Sequence, residues 1–267
     1  MHIRKQLLSL FLVMGLMMSA VAGIAADQKE IRSDHFILSY APETKRSQDI
    51  ITAAERYYDS IAKELGYSRY DKFWTWDKRC HIYVYASRQE YQKATGAFAW
   101  AGGHANLKQR KIYTYVDASE EDFLKTTLPH EIAHLIFADF VGLSIGQALW
   151  LHEGIAMRAE QIRKEDLLRL GKKLFLQQKY IPLRTLVEIK QIPFSITSNE
   201  VAVFYAEALM VVSCLMDQYP MRCFISFCYD IRDKYPVEEA IRRNYSTYGI
   251  QTMNDLEQAI VKNARIL

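Results

Sequence analysis

The sequence predicts an α+β fold in two contiguous lobes, with strands and a few helices first and a run of helices after them. Three observations carry this. Short runs rich in β-branched and aromatic residues, bounded by turn residues, occur only before Asp117. After Asp117 the apolar residues recur at helical spacing, with capping signals at the starts. No internal repeat, low-complexity tract or long linker interrupts the chain, and an apolar content of 50% is enough for a large core.

Residues 1–26 read as an export signal. Arg4 and Lys5 give a positive start, Leu7 to Met18 are apolar apart from Ser9 and Gly15, and the small residues Ala20 to Ala26 offer cleavage after Ala25 or Ala26. An uncleaved anchor is the alternative, since residues 7–26 could just span a bilayer. No cysteine follows the apolar stretch, which disfavours a lipid anchor. The expected division is a signal peptide at 1–26, an α+β lobe at 27–142 and a helical lobe at 143–267.

Residues 35–40 form the first expected strand, ended by Pro42. Ile50, Ala54, Tyr57, Tyr58, Ile61 and Leu65 then mark a helix stopped by Gly66. Residues 80–85 read as a second strand, and Ser87 caps a short helix. A loop through Ala101-Gly102-Gly103-His104 leads to a third strand at 111–116, placed at the sheet edge. Ser119 and Asp122 give a capping-box pattern, and Pro129 either starts a helix or kinks one that runs to Gly142. Further helices are expected near 149–162, 197–218, 221–233, 236–243 and 253–264. The apolar run Val201 to Met216 carries Glu207 and reads as a buried core helix.

Net charge is +3, and near +1 once Arg4 and Lys5 are removed, so no nucleic-acid or anionic-membrane partner is indicated. No membrane span is expected after signal removal. Cys80, Cys214, Cys223 and Cys228 are too few for a disulfide scaffold and lack C-x-x-C spacing, which disfavours a cysteine-based metal site.

His130-Glu131-Ile132-Ala133-His134 carries the chemistry. Two histidines four apart project from one helical face and can meet one zinc ion, while the carboxylate of Glu131 beside them can take a proton from attacking water. With seven histidines in the chain, H-E-x-x-H arises by accident in about 1 per cent of shuffled sequences. Phe137 and Phe140 exclude a third histidine at metzincin spacing. Trp150-Leu151-His152-Glu153-Gly154-Ile155-Ala156 instead opens a second helix, where Glu153 can complete a His2Glu site.

The two motifs together resemble the gluzincins, the peptidase-MA-like metallopeptidases, with their H-E-x-x-H and W-L-x-E-G-x-A. The resemblance covers about residues 30–230, closely only at the two motifs. It implies a zincin-like fold with one zinc ion between the lobes, held by His130, His134 and Glu153, and Glu131 as general base. Tyr205, on the helix after the site, is similar in placement to a family oxyanion donor, with His104 and His152 as lesser candidates; a core tyrosine is the plainer reading. His152 otherwise falls on the wrong helical face. Met157 stands where many gluzincins have an acidic residue orienting a ligand histidine, so that partner must come from elsewhere. Gly102-Gly103-His104-Ala105-Asn106 only echoes the G-A-M-E-N loop of aminopeptidases and lacks its acid, which disfavours aminopeptidase action.

The expected function is an exported zinc endopeptidase, periplasmic or secreted, acting on peptides or proteins. The alternatives are a zinc-stabilised envelope scaffold and a zinc hydrolase of a non-peptide amide. Oligomeric state is not readable.

Overall fold

The computed structural model describes residues 29–40, 47–66, 74–97, 102–116, 122–142, 145–192 and 197–266. The expected signal peptide at 1–26, the expected strand end at Pro42 and the expected Ser119 cap lie outside the described residues. The fold is α+β, as expected: a mixed five-stranded sheet, then a mainly helical part.

The strands are β1 (Lys29–Arg32), β2 (Phe36–Tyr40), β3 (Cys80–Tyr85), β4 (Gly103–Asn106) and β5 (Lys111–Tyr115). Their order is β1-β2-β3-β5-β4, parallel between β2, β3 and β5 and antiparallel at both edges. The expectation that residues 111–116 form an edge strand is therefore overturned, because β5 lies between β3 and β4. The edge is β4, from residues expected to form a loop. Two glycines in a row carry no strand propensity, so pairing with β5 makes this strand, not composition. Arg110, at φ +52°, turns the hairpin.

Period-two alternation sorts the sheet's faces. Phe36, Leu38, Ile82, Val84 and Ile112 are buried on the face toward α1 (Ser47–Glu64) and the helix Leu128–Val141. Tyr83, Tyr85, Tyr113 and Tyr115 lie on the other face, where α2 (Arg88–Thr95) covers one end with Tyr91. Ser87 caps α2 as expected, its side chain accepting the N–H of Glu90.

Helix α3 (Leu128–Val141) continues directly out of a π-helical turn, Phe123–Thr127, and ends at Gly142 in the left-handed region. Pro129 has no N–H to give the carbonyl of Lys125. The N–H of Gln161 donates to that oxygen instead, at 2.8 Å, which ties the start of α3 to the end of α4 (Leu149–Ala159). Then come α5 (Arg163–Leu176), α6 (Leu183–Leu186), α7 (Ser198–Asp217), α8 (Met221–Arg232), α9 (Val237–Tyr245) and α10 (Met253–Ile266). α4 ends at Ala159, earlier than the sequence suggested, and α5 is a separate element.

Helix α7 is the hub of this part. Thr197 and Glu200 form the expected capping box, worth about 1 kcal/mol. The helix is long and apolar enough to cross a membrane by length and composition, yet most of it is buried inside the fold. Glu207 is fully buried, with both carboxylate oxygens 2.9 Å from the N–H of Ile181. Burial pushes its pKa up to about 8. Two glycines let helices approach α7 closely: a Cβ on Gly154 of α4 would fall 2.4 Å from Val212 Cγ2, and one on Gly171 of α5 would fall 2.4 Å from Met210 Cγ. Arg158 of α4 joins Glu64 of α1 to Asp217 of α7, so three helices share one guanidinium.

The larger of two buried clusters among the described residues runs from Phe36 to Ala264 and takes residues from both sides of 142/143, while Tyr85, Tyr91 and Tyr115 form the smaller one. The four cysteines are buried free thiols.

Candidate metal centre

Helices α3 and α4 pack side by side and bring the two sequence motifs together. His130 Nε2 lies 3.1 Å from His134 Nε2 and 3.4 Å from Glu153 Oε2, and His134 Nε2 lies 3.7 Å from the same oxygen. The three side chains are nearly closed off from solvent. Among the described residues Glu153 Oε2 has no hydrogen-bond partner, an expensive arrangement for a buried carboxylate oxygen. A cation among the three atoms would satisfy it. Metal–ligand bonds of 2.0–2.2 Å set ligand atoms about 3.3 Å apart around a tetrahedral ion, and the three separations bracket that value. The three residues thus fit a metal ion, and among the described residues no fourth His, Cys, Asp or Glu joins the group.

Charge is arranged to match. Burial works against a proton on His130, but the carboxylates of Glu153 and Glu160 outweigh it and raise its pKa. Burial pushes His134 down to about 3, leaving it neutral and able to offer a lone pair. Burial would raise Glu153, yet His134 and His130 hold it below the usual carboxylate range. A bound cation would take the place of the proton on His130.

The partner that Met157 could not supply is Glu160. It caps the C-terminus of α4, leaves the helical path in an extended conformation, and accepts from His130 Nδ1 at 2.9 Å. Arg163 grips the same carboxylate with Nε and Nη2 at 2.7 and 2.6 Å. A carboxylate bonded to Nδ1 fixes the tautomer that turns the Nε2 lone pair toward the metal position. Replacing it should tell: Glu160→Ala should weaken metal binding about 10- to 100-fold, with Glu160→Gln retaining most of the affinity. Competition against a chromogenic chelator measures this, and equal affinity in all three proteins would remove Glu160 from the site.

Glu131 sits beside the group, 7% exposed. The backbone N–H of Ala105, on edge strand β4, works against that burial by favouring its charged form. Burial raises its pKa to about 7, against the pull of His130. The hairpin carrying Ala105 is also fastened at the far end of α3, where Arg110 Nε and Trp74 Nε1 each donate to Asp139 Oδ2 at 2.8 Å. Tyr205 of α7 is half-buried. Burial and the charges of Glu153, Glu131 and Glu160 raise its phenol pKa, so its hydroxyl stands in the field of the metal group. His152 is fully buried, its ring edge-on to Phe137 at 4.9 Å and 5.8 Å from that of His134. His104, on β4, bonds Tyr91 through Nδ1 at 2.9 Å. Glu160, Arg163 and Ala105 are the neighbours that sequence reasoning missed.

The family model of the Peptidase MA superfamily matches residues 74–263, which include both helices of this centre. The chain belongs to the peptidase MA superfamily. No curated protein matches the sequence. Membership places this protein among metallopeptidases, and its His-His-Glu group could hold their metal ion. The peptidase MA match begins at Trp74, so β1, β2 and α1 lie outside it.

Proposed function

We propose that this peptidase MA protein is an exported zinc endopeptidase with Glu131 as its general base. The observation that carries the reading is a buried carboxylate beside a three-donor cluster that no fourth described side chain closes. A purely structural metal site would have four protein ligands and no use for that carboxylate.

His130, His134 and Glu153 would hold the zinc ion. Zinc supplies Lewis acidity there, making water easier to deprotonate and a carbonyl easier to attack. Glu131 takes the proton of the attacking water. A pKa raised by burial toward neutrality suits it to pass that proton on to the leaving amine. Tyr205, kept protonated by burial, can donate to the oxygen that gains charge as the carbonyl is attacked.

The extended substrate pairs with the outer edge of β4. A strand laid there runs past Glu131 at both ends, which favours internal cleavage. The leader at 1–26 supports action in the periplasm or outside the cell.

Incubation of the purified protein with a mixed peptide library, read by mass spectrometry, checks the proposal. Internal cleavage that stops with a zinc chelator and returns with zinc is expected. Release of terminal residues only would refute the endopeptidase reading, and metal-independent cleavage would refute the metal's role.

A further inference from the structure

Three rings on three strands form one row across the outer face of the sheet. Tyr83 of β3 is in register with Tyr113 of β5, and Tyr113 with His104 of β4. The rings of Tyr83 and Tyr113 stack at 5.2 Å and 12°, and those of Tyr113 and His104 at 5.1 Å and 23°. The row ends on His104, at the edge where β4 meets no further strand among the described residues.

The last ring is held in its plane. Tyr91, the fully buried residue of α2, bonds His104 Nδ1 at 2.9 Å. His104 is also the residue before Ala105, whose backbone lies near Glu131. The N–H of His81 donates to the carbonyl of Arg110, so Ile112 turns its backbone groups to β3 and Tyr113 turns its own to β4; His104, in register with Tyr113, therefore faces inward to β5. A strand added outside β4 then faces His104 as a non-hydrogen-bonded pair, the kind in which side chains come closest. Cross-strand partners share a face, so the added residue's side chain falls at the fourth place of the row.

We infer that this row is a specificity subsite: the substrate residue opposite His104 is aromatic, and its ring stacks on the imidazole. The inference rests on the substrate pairing with β4 proposed above. Stacked rings on neighbouring strands are spaced as the strands are, so a Phe, Tyr or Trp at that place extends the array without moving any part of it. A branched aliphatic chain covers the imidazole less well. His104 acts here as a specificity-determining residue, not a catalytic one.

Cleavage profiling of the wild type, His104→Ala and Tyr113→Leu tests this, using a peptide library that varies every position around the scissile bond. The wild type should favour aromatic over aliphatic residues about three- to tenfold at one position, a ratio set by the strength of a ring pair. His104→Ala should bring that ratio close to one while leaving preferences at the other positions in place. Tyr113→Leu, which does not reach the substrate, should lower it partly by loosening the imidazole. Thermal unfolding checks that each variant folds; if His104→Ala does not, His104→Phe keeps a ring and should keep the preference. Cleavage without a single-position aromatic preference, or a preference that neither variant changes, overturns the subsite and leaves the peptidase reading standing. Absence of any cleavage by the wild type overturns both.

Discussion

Glu131→Gln should lower kcat for peptide cleavage by about a thousandfold or more, within the range a general base contributes. The amide has nearly the volume of the carboxylate, so the packing of α3 against β4 is kept. It cannot take a proton. Glu131 is not one of the three clustered donors, so metal content should stay at the wild-type level. Thermal stability should hold or rise, because the substitution removes a carboxylate whose charge is penalised by burial. Peptide turnover, metal analysis and a melting curve on the same preparation check all three. Turnover within a few fold of wild type would dismiss Glu131 as the base.

Gly154→Ala should damage both fold and metal site, although alanine is the better helix former by about 1 kcal/mol. Its Cβ would lie 2.6 Å from the carbonyl oxygen of Ala208 as well as 2.4 Å from Val212 Cγ2. The side chain of Val212 could turn aside, but a backbone oxygen in mid-helix cannot. Relief must come from α4 moving away from α7, and overpacking of this kind costs about 1–3 kcal/mol or more. A net loss of about 2 kcal/mol is expected, against little change for Gly146→Ala, where an added Cβ meets nothing within 4 Å. Glu153 is the neighbouring residue, so a shift of α4 moves a metal donor, and metal affinity should fall together with the melting temperature. Equal stability of the two alanine variants would show that α4 and α7 do not need the glycine.

Much of this was legible in the sequence because the signals were local. Two histidines four apart, and a Trp-Leu-x-Glu-Gly run beyond them, fix donors on two helices whatever surrounds them. Ser87 and Thr197 announced their helices through cap chemistry. What stayed hidden depended on contacts between distant residues. β4 has no strand composition and exists through its ladder with β5, which in turn moved β5 off the sheet edge. The glycine of the second motif has no local reason at all, and its purpose lies in α7, more than fifty residues on. Glu160 was missed because the sequence suggested a longer α4, which would have left that residue inside a helix. Its role depends on the helix ending at Ala159. The row Tyr83–Tyr113–His104 likewise needs the register of three strands, and alternation along one strand cannot show it.

The central claim is that His130, His134 and Glu153 hold one catalytic zinc ion in an open site. Anomalous diffraction at the zinc edge, from crystals of the purified full chain, addresses it directly. One peak per chain is expected, about 2.0–2.2 Å from both Nε2 atoms and the Glu153 carboxylate, with no fourth protein ligand. A peak closed by His152 as fourth ligand, or zinc-supplemented crystals with no peak among these three residues, would contradict it.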